Sequence, residues 1–423
     1  MSSAVSSILV IGAGQAAAVA VATLRDQGFE GRITVVGDEA HAPYERPPLS
    51  KAVLAAVEAE EPSISVKEEN FFPTRNIDLR LGLEVVSLDP AAQQATLSDG
   101  AVVDYDRCLL ATGGTARTLP GLAPEAPQVH YLRTLDDARR LRNALRSARR
   151  AVIIGAGFLG LEIASTARTM GVEVSVVETA DRVLGRVVPE TFSNWLQARV
   201  AASGARLYLG QSITDLQLPA DGVHVSLSDG TTLEGDLIVV AVGLSPTTAL
   251  AKAAGLELNA SNGGIEVDAL CRSSVANIFA AGDCTSRQHP GHGSLRLESW
   301  QNANEQARIA ACAMLGIDTA AAAFPWFWTD QFDCNIQMLG LPAPDLEYIV
   351  RGSMSPDDTN PKFIMLGLQG TVPRYALAVN AGGDLRALRA VLEKEIAIDA
   401  AGFSDTSITM KAYSKALLTS AAS

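Results

Sequence analysis

The sequence predicts an α/β protein with two Rossmann-type dinucleotide domains followed by a C-terminal α+β domain. Three observations carry this expectation: a strand-turn-helix glycine signature that occurs twice, an acidic residue following each copy, and a shift toward aromatic residues from Phe324 onward. The first copy is the apolar run Ile8-Leu9-Val10-Ile11 entering Gly12-Ala13-Gly14-Gln15-Ala16-Ala17, a G-x-G-x-x-A pattern that continues into an alanine-rich helical stretch. The second, Ala151-Val152-Ile153-Ile154 followed by Gly155-Ala156-Gly157-Phe158-Leu159-Gly160-Leu161-Glu162, is the full G-x-G-x-x-G.

Glycine is required there because the strand turns sharply into a helix while its backbone approaches a pyrophosphate, and a Cβ would obstruct that approach. The phosphates then face unpaired amide groups and the positive end of a helix dipole. The acidic partner should lie roughly 20 to 25 residues further on, at the end of the next strand, where it meets a ribose hydroxyl. In the first copy this is Asp38 or Glu39; in the second it is Glu178.

At 423 residues the chain suits two or three domains, each with its own core. No stretch approaches the roughly 20 apolar residues of a membrane helix, and the apolar N-terminus runs directly into the Gly12 turn, so a soluble, cytoplasmic protein is expected. The 47 acidic against 34 basic residues, a net charge of −13, disfavour nonspecific nucleic-acid binding. Cys108, Cys271, Cys284, Cys312 and Cys334 are far apart and form no C-x-x-C, which disfavours a metal site or a redox disulfide. Seven arginines fall between Arg133 and Arg150, in an amphipathic helical segment. They suggest a solvated helix face, or alternatively a docking patch for an acidic protein.

In chain order, residues 8 to 37 predict strand, helix and strand, and the proline-rich stretch His41 to Pro48 an ordered loop. Strand patterns from Leu79 to Leu110 end in the hinge Ala111-Thr112-Gly113-Gly114. Residues 151 to 178 restart the βαβ unit, with a helix near Glu190 to Ala202, strands from Leu207 to Val240, and a second hinge at Ala241-Val242-Gly243. The paired hinges suggest that the second nucleotide domain is inserted into the first; a simple tandem is also compatible with the pattern. The expected division is 1–112 with 243–323, 113–242, and 324–423. A strand at Asn277 to Asp283 presents a carboxylate at its end, a helix spans Ser299 to Leu315, and another lies near Asp384 to Lys394. Residues after Ala401 read as a loosely held tail.

The runs Tyr44-Glu45-Arg46-Pro47-Pro48-Leu49-Ser50-Lys51, Ala111-Thr112-Gly113-Gly114, Ala280-Ala281-Gly282-Asp283 and Trp328-Thr329-Asp330-Gln331, with Glu162 in the second glycine motif, resemble the FAD-dependent NADH:ferredoxin reductases of bacterial oxygenase systems, of the putidaredoxin reductase and biphenyl dioxygenase ferredoxin reductase type. The resemblance runs in order from residue 8 to about 395. It implies a glutathione-reductase-like fold with FAD on the first domain, NADH on the inserted one and a C-terminal domain closing over the flavin. Carried over residue by residue, it implies FAD contacts at Gly12, Gly14, Gln15, Ala16, Asp38, Glu39, Arg46, Lys51, Val85, Thr112, Arg133, Asp283 and Trp300. For NADH it implies Gly155, Gly157, Phe158, Leu159, Gly160, Glu162, Glu178, Arg182 and Gly243. Lys51 paired with Glu162, and Trp328 beside the flavin, would be the groups at the reacting rings, and no metal is implied.

Glu178 should select NADH, since a 2′-phosphate would meet a like charge, although Arg182 four residues on complicates that reading. Thr247 stands where relatives often carry asparagine. Glutathione reductase and dihydrolipoamide dehydrogenase relay electrons through two cysteines on the helix after the first loop; this chain has Leu49-Ser50-Lys51-Ala52 there. The resemblance therefore implies hydride transfer from NADH to FAD and single-electron delivery to a [2Fe-2S] ferredoxin, indirectly serving a Rieske oxygenase or a cytochrome P450. Two other readings remain: an NADH oxidase, disfavoured by Ser50 where those enzymes place a cysteine, and an NADH-responsive binding protein like apoptosis-inducing factor, disfavoured by the acidic charge. Nothing in the sequence fixes an oligomeric state.

Overall fold

A computed structural model describes residues 5–57, 60–220, 222–289, 291–319 and 324–421. The chain divides into two compact units, one of Met1–Pro47, Ser63–Thr115 and Leu244–Ala323, the other of Pro48–Pro62, Ala116–Gly243 and Phe324–Ser423.

The first unit is built on a parallel five-stranded sheet. Ser7–Ile11 lies in its centre, flanked by Arg107–Leu110 and then Ile278–Ala280 on one side, and by Arg32–Gly37 and then Ile77–Leu81 on the other. The central strand is apolar throughout because both its faces are covered. Ile8 and Val10 join one core with the helices Gln15–Asp26 and Trp300–Met314; Leu9 and Ile11 join another, against the meander of Val85–Asp89, Gln94–Leu97 and Val102–Asp104. The alanine run of the first helix has a packing reason, because small side chains let it lie close to Trp300–Met314.

The second unit repeats this arrangement. Arg150–Ile154 is central, with Leu237–Val240 and Val129–His130 to one side and Glu173–Glu178 and Arg206–Leu209 to the other. Its C-terminal portion is an antiparallel sheet ordered Trp326–Gln331, Cys334–Gly340, Val372–Val379, Phe363–Gln369 and Glu347–Gly352, with the helix Gly382–Glu393 packed on one face.

One expectation is corrected and another narrowed. Residues beyond Ala401 are not a loose tail: they form the helices Ala400–Ser404 and Met410–Ser420, the latter capped by the Thr409 hydroxyl. Phe403, Met410 and Tyr413 are buried in the same core as Leu385 and Leu388. Arg351 fastens the connection, donating to the carbonyls of Phe403, Asp405 and Ile408 at 2.8, 2.6 and 2.5 Å. The arginine run is partly a solvated face and partly internal: Arg140, Arg146, Arg149 and Arg150 are exposed, whereas Arg142 is buried. The helix Leu135–Ser147 is started by a capping box between Thr134 and Asp137, and several of its arginines find partners elsewhere in the unit. Arg139 and the buried Arg142 pair with Glu61 at 2.6 and 2.7 Å, and Arg146 donates to the Ala56 carbonyl. Arg140 donates to the Pro124 carbonyl, and Arg150 pairs with Glu234. The hydrogen bond from Arg139, aided by Arg142 and opposed by burial, holds the Glu61 carboxyl below its usual range.

No helix among the described residues is long and apolar enough to cross a membrane, and no group of three or more His, Cys, Asp or Glu among them is placed to hold a metal. All five cysteines are buried and free.

Candidate functional site

In the first unit, Gly12 sits at φ +105°, and a Cβ there would collide with the Ala111 carbonyl, so the turn is closed to any other residue. Gly14 differs. A Cβ on it would meet nothing within 4 Å, and the helix it opens, Gln15–Asp26, has no side-chain cap. The result is open space in front of uncapped amide groups, which is what a pyrophosphate requires. Beside it, Gln15 donates to Asn304 at 2.8 Å while its own buried carbonyl oxygen has no protein partner. These features fit a bound dinucleotide.

Around this cradle the proposed flavin positions divide by role. Glu39 follows the Arg32–Gly37 strand and is gripped by Arg46 at 2.6 Å and by the Tyr44 hydroxyl, whereas Asp38 is exposed. Burial works against the Arg46 charge, but Tyr44, Glu39 and Asp283 outweigh it and raise its pKa. Asp283, at the end of the Ile278–Ala280 strand, thus lies within electrostatic reach of Arg46. Thr112 donates to the Thr247 carbonyl at 2.6 Å, and the Thr247 amide returns a bond to the Gly113 carbonyl at 3.0 Å. Thr247 therefore serves the hinge through its backbone. Ala16 is buried at the start of the first helix, Val85 opens the meander, and Trp300 begins the helix capped by Ser299. Lys51 and Arg133 belong to the second unit.

That unit carries the second cradle. Gly155 is also at φ +105°, with 2.5 Å between its would-be Cβ and the Ala241 carbonyl. A Cβ on Gly157 would meet nothing within 4 Å, and the helix Phe158–Thr169 again lacks a side-chain cap. A Cβ on Gly160 would strike the Gly155 carbonyl, so the third glycine holds helix and turn together; Leu159 lies in the first turn of that helix. Glu178, the last residue of its strand, accepts from the Ala156 amide at 2.8 Å and the Ala180 amide at 2.9 Å. This fixes the carboxylate at the mouth of the glycine turn. Arg182 is turned away, donating to the carbonyls of Val188 and Gly185 at 3.0 and 2.5 Å. Gly243, at φ +110°, ends the unit's inserted stretch and accepts from the Arg117 amide at 3.0 Å.

The same unit holds a buried polar knot. The Glu162 carboxylate, only 7 % exposed, pairs with Lys51 at 2.7 Å and accepts from the hydroxyls of Ser50 at 2.5 Å and Thr329 at 2.6 Å. Ser50 and Thr329 are the functional candidates that motif reading missed. Close by in sequence, Trp328 stacks on Trp326 with 4.9 Å between ring centroids, and Phe327 meets Phe158 at 4.5 Å. Lys51 follows the short turn Pro47–Ser50, whose two prolines preset the backbone.

Residues 6–307 match the pyridine nucleotide-disulphide oxidoreductase family, and residues 326–414 match the reductase C-terminal family. The chain is 40 % identical over 385 residues to the 3-phenylpropionate/cinnamic acid dioxygenase ferredoxin–NAD(+) reductase component of Photorhabdus laumondii, covering 91 % of this chain and 95 % of that one. Among solved structures, it is similar to the ferredoxin reductase for the CYP199A2 system of Rhodopseudomonas palustris (TM-score 0.89, 36 % identity, 96 % and 99 % of the two chains). It is also similar to putidaredoxin reductase in its covalent complex with putidaredoxin (TM-score 0.90, 33 % identity, 98 % and 99 %).

Proposed function

From the premise that the chain belongs to the pyridine nucleotide-disulphide oxidoreductase family, we propose that it is an FAD-dependent NADH:ferredoxin oxidoreductase of an oxygenase system. One NADH and two oxidised [2Fe-2S] ferredoxins become NAD(+), two reduced ferredoxins and a proton. The flavin, when bound, supplies the exchange between a two-electron hydride donor and a one-electron acceptor. One relative is named for a dioxygenase and one solved neighbour for the CYP199A2 system, which supports a ferredoxin here that feeds a Rieske oxygenase or a cytochrome P450.

The protein's own residues bind and orient. The first glycine turn, with Gln15, Arg46, Thr112 and Asp283, would hold FAD, and the second, with Glu178, would hold NADH; residues 1–112 with 243–323 and residues 113–242 are the corresponding domains. Lys51 and Glu162 would fix the two reacting rings in register, which is the main catalytic demand when hydride passes directly between them. Five free buried thiols suit a reducing, cytoplasmic setting.

The observation that carries the reading is the knot at Ser50 and Lys51. Where family members with a redox disulfide place a cysteine pair, this chain places a hydroxyl and an ammonium, both committed to Glu162. Electrons must therefore leave from the flavin itself. Purified protein should be yellow, bleach with NADH under anaerobic conditions, and reduce cytochrome c only when a [2Fe-2S] ferredoxin is added. Rapid oxygen consumption with NADH alone would replace this reading with an oxidase. An NADH-dependent change between monomer and dimer without ferredoxin or ferricyanide reduction would replace it with a binding protein.

A further inference from the structure

We propose that Thr329, held by Gln331, is a positioning residue that fixes the Glu162 carboxylate and through it the Lys51 ammonium; this rests on the reductase reading above. The starting point is a count of donors. Glu162 Oε1 receives Lys51 Nζ at 2.7 Å and Thr329 Oγ1 at 2.6 Å, and Oε2 receives Ser50 Oγ at 2.5 Å. There is one cation for a carboxylate that is almost fully buried. An ion pair in such a place keeps a single geometry only when the remaining lone pairs are also satisfied. The terminal torsion of a glutamate is soft and broadly populated, and lysine is a flexible partner, so a fixed hydroxyl donor on each oxygen, Thr329 on Oε1 and Ser50 on Oε2, is what sets the plane of the group.

Thr329 is built for this part. It is 0 % exposed, and its hydroxyl accepts from Gln331 Nε2 at 3.1 Å. A threonine hydroxyl has a single proton, so once Gln331 donates to the oxygen, that proton is directed onto Glu162. Ser50 is held from both ends by one helix, since its hydroxyl reaches Glu162 while its carbonyl accepts from Thr166 Oγ1 at 2.7 Å, one turn later. The strand bearing Thr329 is fastened to the same helix on either side: the Phe332 amide donates to Ser165 Oγ at 2.7 Å, and Phe327 packs on Phe158. Helix Phe158–Thr169 therefore grips the Lys51 turn and the Trp328 strand at once, and the Thr329 hydroxyl is the hydrogen bond by which that strand acts on Lys51.

The test uses full-length, flavin-loaded protein with Thr329→Val, which keeps the shape and removes the donor, and Thr329→Ser, which keeps the donor. With one charge-assisted hydrogen bond lost, anaerobic stopped-flow should show flavin reduction by NADH slowed about tenfold at unchanged NADH affinity. A dye-coupled redox titration should show the flavin midpoint potential moved to more negative values, because Glu162 is then less neutralised. Thr329→Ser should restore both. If Thr329→Val does not retain flavin, Gln331→Leu carries the test, since it leaves the hydroxyl but releases its orientation, and the same shifts should appear in smaller measure. Rate and potential equal to those of the unmodified protein, or no rescue by serine, overturn the proposal while leaving the reductase reading intact. If NADH fails to bleach the flavin of the unmodified protein, both fall.

Discussion

Replacing Glu178 tests cofactor choice, and the structure sets the size of the effect. A carboxylate offers about four acceptor directions. Three are taken, by the amides of Ala156 and Ala180 and by the Thr179 hydroxyl at 3.2 Å, which leaves about one for a ribose hydroxyl. One hydrogen bond to a charged group is worth about 1.5–3 kcal/mol, so Glu178→Ala should lower kcat/KM for NADH roughly 10- to 100-fold. For NADPH the lost bond is offset by relief of like-charge repulsion against the 2′-phosphate, so its kcat/KM should hold or rise. Arg182 cannot rescue the phosphate in the unmodified protein, because its guanidinium already serves the carbonyls of Gly185 and Val188. The measurement is ferricyanide reduction with each nucleotide, which needs no partner protein, alongside a melting curve, since two backbone amides lose their acceptor. An NADH-to-NADPH preference that stays within about twofold of the unmodified value would refute the assignment.

Other expectations follow from buried geometry. Gly14→Ala and Gly157→Ala place a methyl group in open space at a backbone conformation alanine adopts freely; folding should be unaffected, while FAD retention and NADH affinity respectively weaken by about tenfold or more, and unaltered binding in equilibrium titrations would remove the cradle assignment. His130 is 2 % exposed with neither ring nitrogen hydrogen-bonded, and burial, with the nearby Arg140 charge, pulls its pKa from 6.5 to about 4. The unfolded chain binds a proton near pH 6.5 that the folded chain refuses until about pH 4, so its contribution is intact above pH 6.5 and lost progressively below it, by up to about 3 kcal/mol. Urea unfolding across that range should show a loss that His130→Leu lacks, and parallel pH profiles for the two proteins would count against it. Arg351→Met leaves three C-terminal carbonyls without their donor and should cost about 2–3 kcal/mol, with faster proteolysis beyond residue 400; equal protease resistance would mean the two C-terminal helices hold by apolar packing alone.

Both glycine turns were legible in the sequence because their causes are local. A positive φ at Gly12 and Gly155 and a close backbone approach at Gly160 constrain consecutive residues, and so leave a readable spacing. The Glu162 knot was only half legible. Its ammonium partner stands in a recognisable run, but its two hydroxyl donors lie 112 and 167 residues away, and an isolated serine or threonine carries no periodic mark. The arginine run is also half legible: Arg140, Arg146, Arg149 and Arg150 are exposed as a row of charges suggests, whereas Glu61, the partner of Arg139 and of the buried Arg142, is 78 residues from Arg139 and leaves no local mark. The C-terminal segment differs, since its sequence carries a helical signal. Met410, Tyr413 and Leu417 recur at helical spacing behind a threonine that caps, and this stripe outweighs the tendency of chain ends to be loosely held. Turn chemistry thus marks two cradles that would suit dinucleotides, whereas the proposed positioning groups are specified by pairings across long separations, and only the folded chain brings Ser50 and Thr329 to the Glu162 carboxylate.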